Sequence, residues 1–317
     1  MFISAVMDHA ALIAALESPG NAPYVRFAAT DDQGATLDCL KVVEDAPQRY
    51  LGVSHALRDG VFELRLSEST DLLHWQHVAV LDRHAHQGTL RRVGAAWLVA
   101  YEKDGPDGNW IELAAYPTTA DLRAAKPERR ISLPRTLSRF AQGTPDIRSV
   151  AIQGTWDRSE IALGFHYYRD GDVDRQSFGV LRNWRDWTER ELLTTNRALE
   201  DQFRGNIGDR DTLQWGHETL MLLEAQRTKN DWASWTILFG PSSAPFRELH
   251  IRTPDNARSI ANPNWTKVTL PDGRPGIVVT LFLPSQGAST RESGSLIYAF
   301  PITAESLTSS GKSMRRP

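Results

Sequence analysis

The sequence predicts an all-β fold built from five similar units, and two observations support this prediction. Segments rich in β-branched and aromatic residues recur along all 317 residues, and each is bounded by Gly, Pro, Asp or Asn residues that favour turns. A helical pattern is confined to a short amphipathic stretch, Asp8 to Leu16, and to Ala198 to Phe203. The predicted strands include Tyr50 to His55, Phe62 to Ser67, Trp97 to Glu102, Trp110 to Tyr116, Glu160 to Tyr168, Ser177 to Leu181, Thr219 to Ala225, Trp235 to Phe239, Gly276 to Leu283 and Ser295 to Phe300.

Pairs of these strands end on similar phrases, which indicates an internal repeat. The phrases span 67–75, 116–122, 181–187, 239–246 and 300–307. Each unit covers about 50 to 65 residues, enough for one four-stranded propeller blade with its loops. An irregular β-sandwich would give similar strands, but the repeated endings argue against it. The sequence therefore predicts a five-bladed β-propeller with four-stranded antiparallel blades around a central axis.

One domain is expected to cover residues 1–317. Residues 1–21 are predicted to form an N-terminal helical extension, and the polar residues 309–317 a flexible tail. The segment from Tyr24 to Thr30 is predicted to be a strand that either opens the first blade or closes the ring against the last one. Closure would remove exposed sheet edges.

Composition and charge narrow the classes of partner. The net charge is −3 with acidic and basic residues mixed along the chain, so no basic stripe is present to attract nucleic acid. Cys39 is the only cysteine, which excludes an intramolecular disulfide and a cysteine-rich metal site. The sequence contains no run of about 18 apolar residues, which is the minimum for a membrane-spanning helix. The N-terminus lacks a signal-peptide pattern. We expect a cytoplasmic protein with no membrane partner; the sequence does not indicate an oligomeric state.

The most specific phrase is Ser-Glu-Ser-Thr-Asp-Leu-Leu-His-Trp, Ser67 to Trp75. Its Ser, Thr and Asp side chains are suited to fix a turn by local hydrogen bonds, and Trp75 to fill the gap between neighbouring sheets. The phrase resembles the blade ending of glycoside hydrolase families 43 and 32, and the resemblance extends over roughly residues 35–305. It implies an active site at the axis, where the innermost strand of each blade begins and acidic residues from different blades converge on a sugar.

For the first three blades, the resemblance suggests a role for each axial residue. Asp38 matches the general base of family 43, although an ordinary turn Asp is an equal alternative. His86 and Gln87 lie where relatives often place an Asp, and they are predicted to bond sugar hydroxyls unless they are solvated loop residues. Gln142 stands at the position of the general acid Glu and cannot donate a proton as a carboxylic acid does. Asp146 becomes the replacement candidate.

In the fourth blade, Asp209, Arg210 and Asp211 resemble the Arg-Asp-Pro phrase of family 32, in which Asp211 matches the residue that stabilises the transition state. A structural ion-pair turn is the alternative. In the fifth blade, Asn264 and Trp265 suit sugar recognition through an amide and an indole face. A turn followed by a core Trp is equally compatible with the sequence.

Taken with the resemblance, these residues predict a glycoside hydrolase-like enzyme that cleaves a small saccharide or glycoside in an axial funnel with paired carboxylates. Glu224, at the end of an apolar strand, is a reserve acid whose pKa burial would raise. Alternatively, the Gln142 substitution allows a propeller that binds a glycan or metabolite without hydrolysis. Because a fold does not determine one function, recruitment to lyase or cyclase chemistry is a further alternative. No cofactor and no metal are expected.

Overall fold

The described residues of a computed structural model, 7–242 and 245–302, form five four-stranded antiparallel sheets arranged as a five-bladed β-propeller. The predicted fold class is therefore confirmed. The helices are α1 (His9–Leu16), α2 (Thr119–Arg123) and α3 (Leu193–Glu200). Helix α3 begins and ends earlier than the predicted Ala198 to Phe203. Residues 1–6 of the predicted N-terminal extension and the predicted tail at 309–317 lie outside the described residues.

The blades follow one another along the chain, except that the first strand belongs to the last blade. Blade five contains β1 (Tyr24–Arg26), β18 (Ala261–Thr269), β19 (Pro275–Leu283) and β20 (Gly294–Pro301). Blade one contains β2 (Asp38–Ala46), β3 (Arg49–Arg58), β4 (Val61–Ser69) and β5 (Gln76–Arg83). Blade two contains β6 (Ala85–Val93), β7 (Ala96–Lys103), β8 (Trp110–Tyr116) and β9 (Arg129–Ser132). Blade three contains β10 (Gln142–Gln153), β11 (Thr155–Arg169), β12 (Val173–Arg182) and β13 (Asp186–Glu191). Blade four contains β14 (Ile207–Trp215), β15 (Glu218–Gln226), β16 (Trp235–Pro241) and β17 (Arg247–Glu248).

The ring is closed by β1, which pairs antiparallel with β20. The segment from Tyr24 was predicted either to open the first blade or to close the ring against the last one, and the structure shows the closing role. The strand ends at Arg26 rather than Thr30. Helix α1 strengthens the closure because Leu12 and Leu16 pack into the apolar cluster shared by blades four and five. Asp8 caps α1 by accepting a hydrogen bond from the backbone N–H of Ala11 at 2.8 Å.

The Ser67 to Trp75 phrase forms a turn between β4 and β5. The Asp71 carboxylate accepts the backbone N–H groups of Leu73 at 2.9 Å and His74 at 2.7 Å. Trp75 is fully buried in the apolar cluster between blades one and five. A Cβ atom at Gly52 would lie 2.8 Å from the Trp75 ring, so only glycine allows this packing. The phrase therefore joins the first blade to the last.

Each inner strand carries a β-bulge at the same place, and this repeated irregularity positions the site. The register shifts lie between Asp38 and Lys41, His86 and Thr89, Gly143 and Asp146, Gly208 and Asp211, and Ala261 and Asn264. In each case the inner strand has one residue more than its partner. The bulge residues Cys39, Gln87, Thr144 and Asn262 have φ between 50° and 54°. The extra residue turns polar side chains towards the axis.

No helix within 7–242 and 245–302 is both long and apolar enough to cross a membrane.

Candidate functional site

A cavity of about 610 Å³ opens where the five inner strands begin, and every blade contributes to its lining. This cavity is called the funnel below. Its volume lies within the range of about 300 to 1,000 Å³ that is typical of small-ligand sites. Its acidic residues are Asp38, Glu102, Asp174 and Glu224, and its basic or imidazole residues are His55, His86, His166 and Arg210.

A ring of side chains from the second strands forms much of the funnel wall. These residues lie opposite the start of each bulge: His55, Glu102, His166, Glu224 and Phe282. All five line the funnel. The same register position therefore supplies one wall residue from each blade.

Three of these side chains also connect neighbouring blades. The Nδ1 atom of His55 accepts a hydrogen bond from the backbone N–H of the bulge residue Gln87 at 3.2 Å. Glu102 accepts the equivalent N–H of Thr144 at 3.1 Å, and Glu224 accepts that of Asn262 at 2.7 Å. A bulge leaves its extra residue without a strand partner, so these bonds satisfy buried backbone donors. This role explains why the chain keeps polar residues at the ends of otherwise apolar strands.

The Glu102 carboxylate lies directly against the inner strand of blade three. A Cβ atom at Gly143 would be 1.9 Å from Glu102 Oε2, so a larger residue would displace the carboxylate. Asn109 Nδ2 donates to Glu102 Oε1 at 2.7 Å. Burial raises the pKa of Glu102, but the nearby His86 and His166 and the Asn109 hydrogen bond outweigh it and hold the pKa below its usual value. Glu102 is therefore a bonded, ionised wall residue.

Arg210 forms a buried crosslink in the funnel. Its guanidinium donates to Gln87 Oε1 at 2.7 Å and also to the side chains of Glu224 and Asn262. Its Nη1 atom lies 3.4 Å from the sulfur of Cys39. Arg210 thus contacts blades one, two and five from blade four, and the Glu224 carboxylate neutralises its charge.

Asp38 is held in its ionised form. Asn262 Nδ2 donates to Asp38 Oδ1 at 2.8 Å, and His55 Nε2 lies 3.4 Å from Oδ2. Because His55 Nδ1 accepts the Gln87 N–H, its own proton is assigned to Nε2, which faces Asp38. Burial raises the pKa of Asp38, but His55, Asn262 and Arg210 together lower it below the usual value.

Asp174 experiences the opposite environment. It lies on β12 of blade three, with Oδ1 3.6 Å from His166 Nε2, and its backbone N–H donates to Asn206 Oδ1 at 3.0 Å. Burial raises the pKa of Asp174, and the charges of Glu102 and Glu224 raise it further, against the attraction of His166 and Arg210. The protonated form is therefore favoured more than for an ordinary aspartate.

His86 completes the polar wall. Its Nε2 atom lies 2.7 Å from Asp104 Oδ1 and 3.9 Å from Glu102 Oε1. Burial lowers the pKa of His86, but Glu102, Asp104 and Asp38 raise it above the usual value overall. The His86 ring packs 5.0 Å from the Phe62 ring between centroids. An imidazole in this position is suited to donate a hydrogen bond to a ligand oxygen.

Of the residues predicted from the sequence, the structure brings Asp38, His86, Gln87 and Arg210 together in the funnel. Asp146, Asp211 and Trp265 instead line a second cavity of about 240 Å³, called the lower cavity below. Asp146 and Asp211 lie three residues beyond the start of the bulge, about 10 Å further along a strand.

In the lower cavity, Asp211 forms an ion pair with Lys41 and accepts the backbone N–H of Trp265 at 2.8 Å. Lys41 Nζ also donates to the Trp265 carbonyl oxygen at 3.0 Å. Asp146 accepts the Thr212 hydroxyl at 3.0 Å and pairs with Arg148 at 2.9 Å. These contacts connect blades one, three, four and five, which gives both carboxylates a structural role. An ion-pair role was the alternative predicted for Asp211, but its partner is Lys41 of another blade.

Gln142 and Asn264 also lie outside the funnel lining. Gln142 Nε2 donates to Glu189 Oε2 at 2.6 Å, and its Oε1 accepts the Leu137 N–H at 3.1 Å. Gln142 precedes the bulge by one residue and anchors the loop before β10 to blade three. Asn264 is buried. Asp209 is part of β14, and its side chain lies outside what the structure describes.

The sequence predictions missed His55, Glu102, His166 and Asp174. A signal existed for the first three, because each follows a largely apolar stretch of a second strand, as Glu224 does. These stretches are Leu51 to His55, Leu98 to Glu102, Leu163 to His166 and Leu222 to Glu224. An ionisable residue at that place in each repeat predicts a funnel residue. Asp174 gave no comparable signal because it lies on a third strand, just after a turn.

Among the described residues, no three or more His, Cys, Asp or Glu side chains are grouped so that they could hold a metal ion.

Comparisons with solved structures identify the fold. A thermostable family-43 glycoside hydrolase matches with a TM-score of 0.56 and 10% identity, over 86% of this chain and 92% of that one. The fold is that of the family-43 glycoside hydrolases. An exo-1,5-α-L-arabinanase from a bovine ruminal metagenomic library matches with a TM-score of 0.55 and 11% identity, over 86% and 95% of the two chains. A Cellvibrio cellulosa α-L-arabinanase complexed with arabinohexaose matches with a TM-score of 0.52 and 10% identity, over 89% and 99%.

No family model matches the sequence, and no curated protein matches it either.

Proposed function

We propose that the protein hydrolyses a glycosidic bond of a small saccharide or glycoside, with Asp38 as the general base or nucleophile and Asp174 as the general acid. One observation carries this proposal: a single funnel holds one carboxyl group whose pKa is lowered and another whose pKa is raised. Pairs of carboxyl groups whose environments push their pKa values apart are typical of acid–base catalysis.

The division of labour follows from glycoside chemistry. The leaving oxygen must receive a proton as the C–O bond breaks, and an ionised carboxylate on the other side must activate water or attack the anomeric carbon. Asp174, whose pKa burial raises, is the more readily protonated of the two and supplies the proton. Asp38 is ionised and has its orientation fixed by Asn262 and His55.

The resemblance to families 43 and 32 agrees with these roles. Asp38 is the residue that matches the general base of family 43, at the start of the first inner strand. The acid in that family comes from the third blade, and Asp174 belongs to the third blade here, although to a different strand. The Cellvibrio arabinanase complexed with arabinohexaose supports a saccharide as the ligand class.

A panel of aryl glycosides and oligosaccharides tests the proposal, with released sugar measured by NMR or chromatography. We expect cleavage of at least one substrate by the unaltered protein and loss of that cleavage in Asp174→Asn. The exposed neighbour Asp172 offers a matched control, because Asp172→Asn changes a carboxylate on the same turn outside the funnel. Equal activity of Asp174→Asn and Asp172→Asn would refute the role of Asp174.

A saccharide-binding propeller without hydrolysis is the second candidate. The observation that favours it is that Gly143 and Thr144, not a carboxylate, occupy the axial start of blade three. In that case saccharides raise the melting temperature through binding to the folded state, while no product forms. Cleavage of any panel member that depends on Asp38 excludes this candidate.

A further inference from the structure

The funnel opening carries a large apolar side chain that the roles described above do not use. Trp232 lines the funnel and is 54% exposed, whereas the side chain of Asp38 is 19% exposed. Large exposed aromatic residues at the edge of a cleft are typical of recognition sites. The adjacent Trp235 also lines the funnel, with its ring centroid 6.1 Å from that of Trp232 and the rings inclined by 52°.

The backbone around Trp232 is held in place by side-chain hydrogen bonds. The Ser259 hydroxyl donates to the Trp232 carbonyl oxygen at 2.6 Å, and the Asp231 carboxylate accepts the Ala233 N–H at 2.9 Å. Gln226 Nε2 and the Ser234 hydroxyl both donate to the Asp231 carbonyl oxygen, at 3.1 Å and 2.7 Å. An exposed indole on a fixed backbone loses little conformational freedom when a ligand binds to it.

The second tryptophan of the pair is largely buried. Trp235 is 92% buried, and its indole N–H has no hydrogen-bond acceptor among the residues the structure describes. Buried indole N–H groups usually have a partner. Because this donor has no accessible surface, the support that Trp235 gives to Trp232 is the contact between their rings.

We propose that Trp232, supported by Trp235, is a stacking platform for the leaving-group ring of the substrate. This inference rests on the proposed hydrolysis, because that proposal determines which end of the ligand lies at the carboxyl groups. A terminal sugar held at Asp38 and Asp174 directs the rest of the glycoside towards the opening, where Trp232 lies. The platform accepts the apolar face of a second sugar or an aromatic aglycone, so the funnel prefers glycosides with a ring as leaving group over those with a methyl group.

The test compares matched methyl and 4-nitrophenyl α-L-arabinofuranosides and β-D-xylopyranosides, with Trp232→Ala, Trp232→Phe and the unaltered protein. Leu193→Ala is the control, because Leu193 is 50% exposed and lies outside the funnel. We expect Trp232→Ala to raise KM for the 4-nitrophenyl glycoside about 10-fold with kcat nearly unchanged, as expected for loss of ground-state and transition-state stacking alike. In Trp232→Ala, KM for the methyl glycoside should change by less than about 2-fold. In Trp232→Phe and Leu193→Ala, KM for the 4-nitrophenyl glycoside should also stay within about 2-fold of the unaltered protein.

If Trp232→Ala changes KM equally for the methyl and 4-nitrophenyl glycosides, or changes it for neither, Trp232 is not a stacking platform. If neither glycoside is cleaved, the hydrolysis proposal fails, and calorimetric titration with the same compounds then tests the platform alone. Tighter binding of the 4-nitrophenyl glycoside that Trp232→Ala abolishes would support the platform without catalysis. Equal binding of both compounds, or no binding, would refute it.

Discussion

Carboxylates line the axis of the propeller at two levels, the funnel and the lower cavity, and Asp211 and Asp174 show how differently they are bonded. In the lower cavity, Asp211 pairs with the buried Lys41 and accepts two backbone N–H groups, from Thr212 and Trp265, so both of its oxygens are bonded. In the funnel, Asp174 is 19% exposed and faces His166 at 3.6 Å. Under the proposed function, the incompletely bonded carboxyl group of Asp174, rather than the number of charges near the axis, marks the chemical site.

Substitutions at the two levels should differ most in their effect on kcat. Replacing Asp38 by Asn removes the ionised carboxylate and should lower kcat by about 10²- to 10⁴-fold, the usual range for general acid–base catalysis. Replacing Asp211 by Asn should leave kcat within about 10-fold, because Asp211 does not reach the funnel. Steady-state kinetics at a temperature where both variants are folded measures this. A greater loss in Asp211→Asn than in Asp38→Asn would reverse the assignment of the two levels.

Stability should show the opposite order. Asp211→Asn leaves Lys41 buried without its carboxylate and should cost about 3 to 5 kcal/mol of unfolding free energy, as is typical when one partner of a buried ion pair is removed. The double variant Lys41→Met/Asp211→Asn removes the unpaired charge and should recover part of that loss. Urea unfolding of both proteins gives the comparison. An Asp211→Asn protein as stable as the unaltered one would show that the lower cavity is not a structural crosslink.

The pH dependence of kcat/KM should report the two funnel carboxyl groups. The pKa of Asp38 is lowered, so activity falls only when the pH drops far enough to protonate it. The pKa of Asp174 is raised, so activity persists above the usual aspartate range and falls by about 10-fold per pH unit once Asp174 ionises. A pH-rate profile from the free enzyme measures both limbs. An alkaline limb that remains in Asp174→Asn would exclude Asp174 as its source.

The smallest expected effect is a gain in stability at the site itself. Because the pKa of Asp174 is raised in the fold, its ionised form is unfavourable at neutral pH, and Asp174→Asn should stabilise the protein by about 0.5 to 2 kcal/mol. The gain should disappear as the pH falls below the ordinary aspartate pKa, where both side chains are neutral. Asp172→Asn removes an exposed carboxylate whose pKa is lowered by Lys229 and should give no gain. Thermal melts at neutral and acidic pH test whether Asp174→Asn stabilises or destabilises the protein.

The sequence was sufficient for features that depend on local chemistry. The turn at Ser67 to Trp75 is built from hydrogen bonds within a few residues, so its phrase predicted both the turn and the blade boundary. Asp38 was found because it lies at the start of the first inner strand, which directly precedes the predicted strand from Tyr50 to His55. The strand after Tyr24 was recognised as a possible closing strand for the same reason, since its β pattern is local.

The rest depends on contacts between blades and on the bulges. Glu102 was signalled by its place after an apolar stretch, but its hydrogen bond with Thr144 of the next blade is a contact that no local pattern reveals. Asp146 and Asp211 were predicted to face the sugar, but the extra bulge residue places them a level lower. Gln142 was predicted at the acid position, yet it lies one residue before the bulge entry and bonds Glu189. Displacements of one to three residues along an inner strand therefore place these side chains outside the funnel lining.

The division of roles between Asp38 and Asp174 is tested most directly by varying the leaving group. Aryl glycosides with phenol and 2,4-dinitrophenol as leaving groups differ in how much they need a proton from the acid, while the sugar and the base remain the same. The account predicts that Asp174→Asn loses about 10²- to 10⁴-fold in kcat/KM for the phenyl glycoside and less than about 10-fold for the dinitrophenyl glycoside. An equal loss on both substrates, or no loss on the phenyl glycoside, would contradict it.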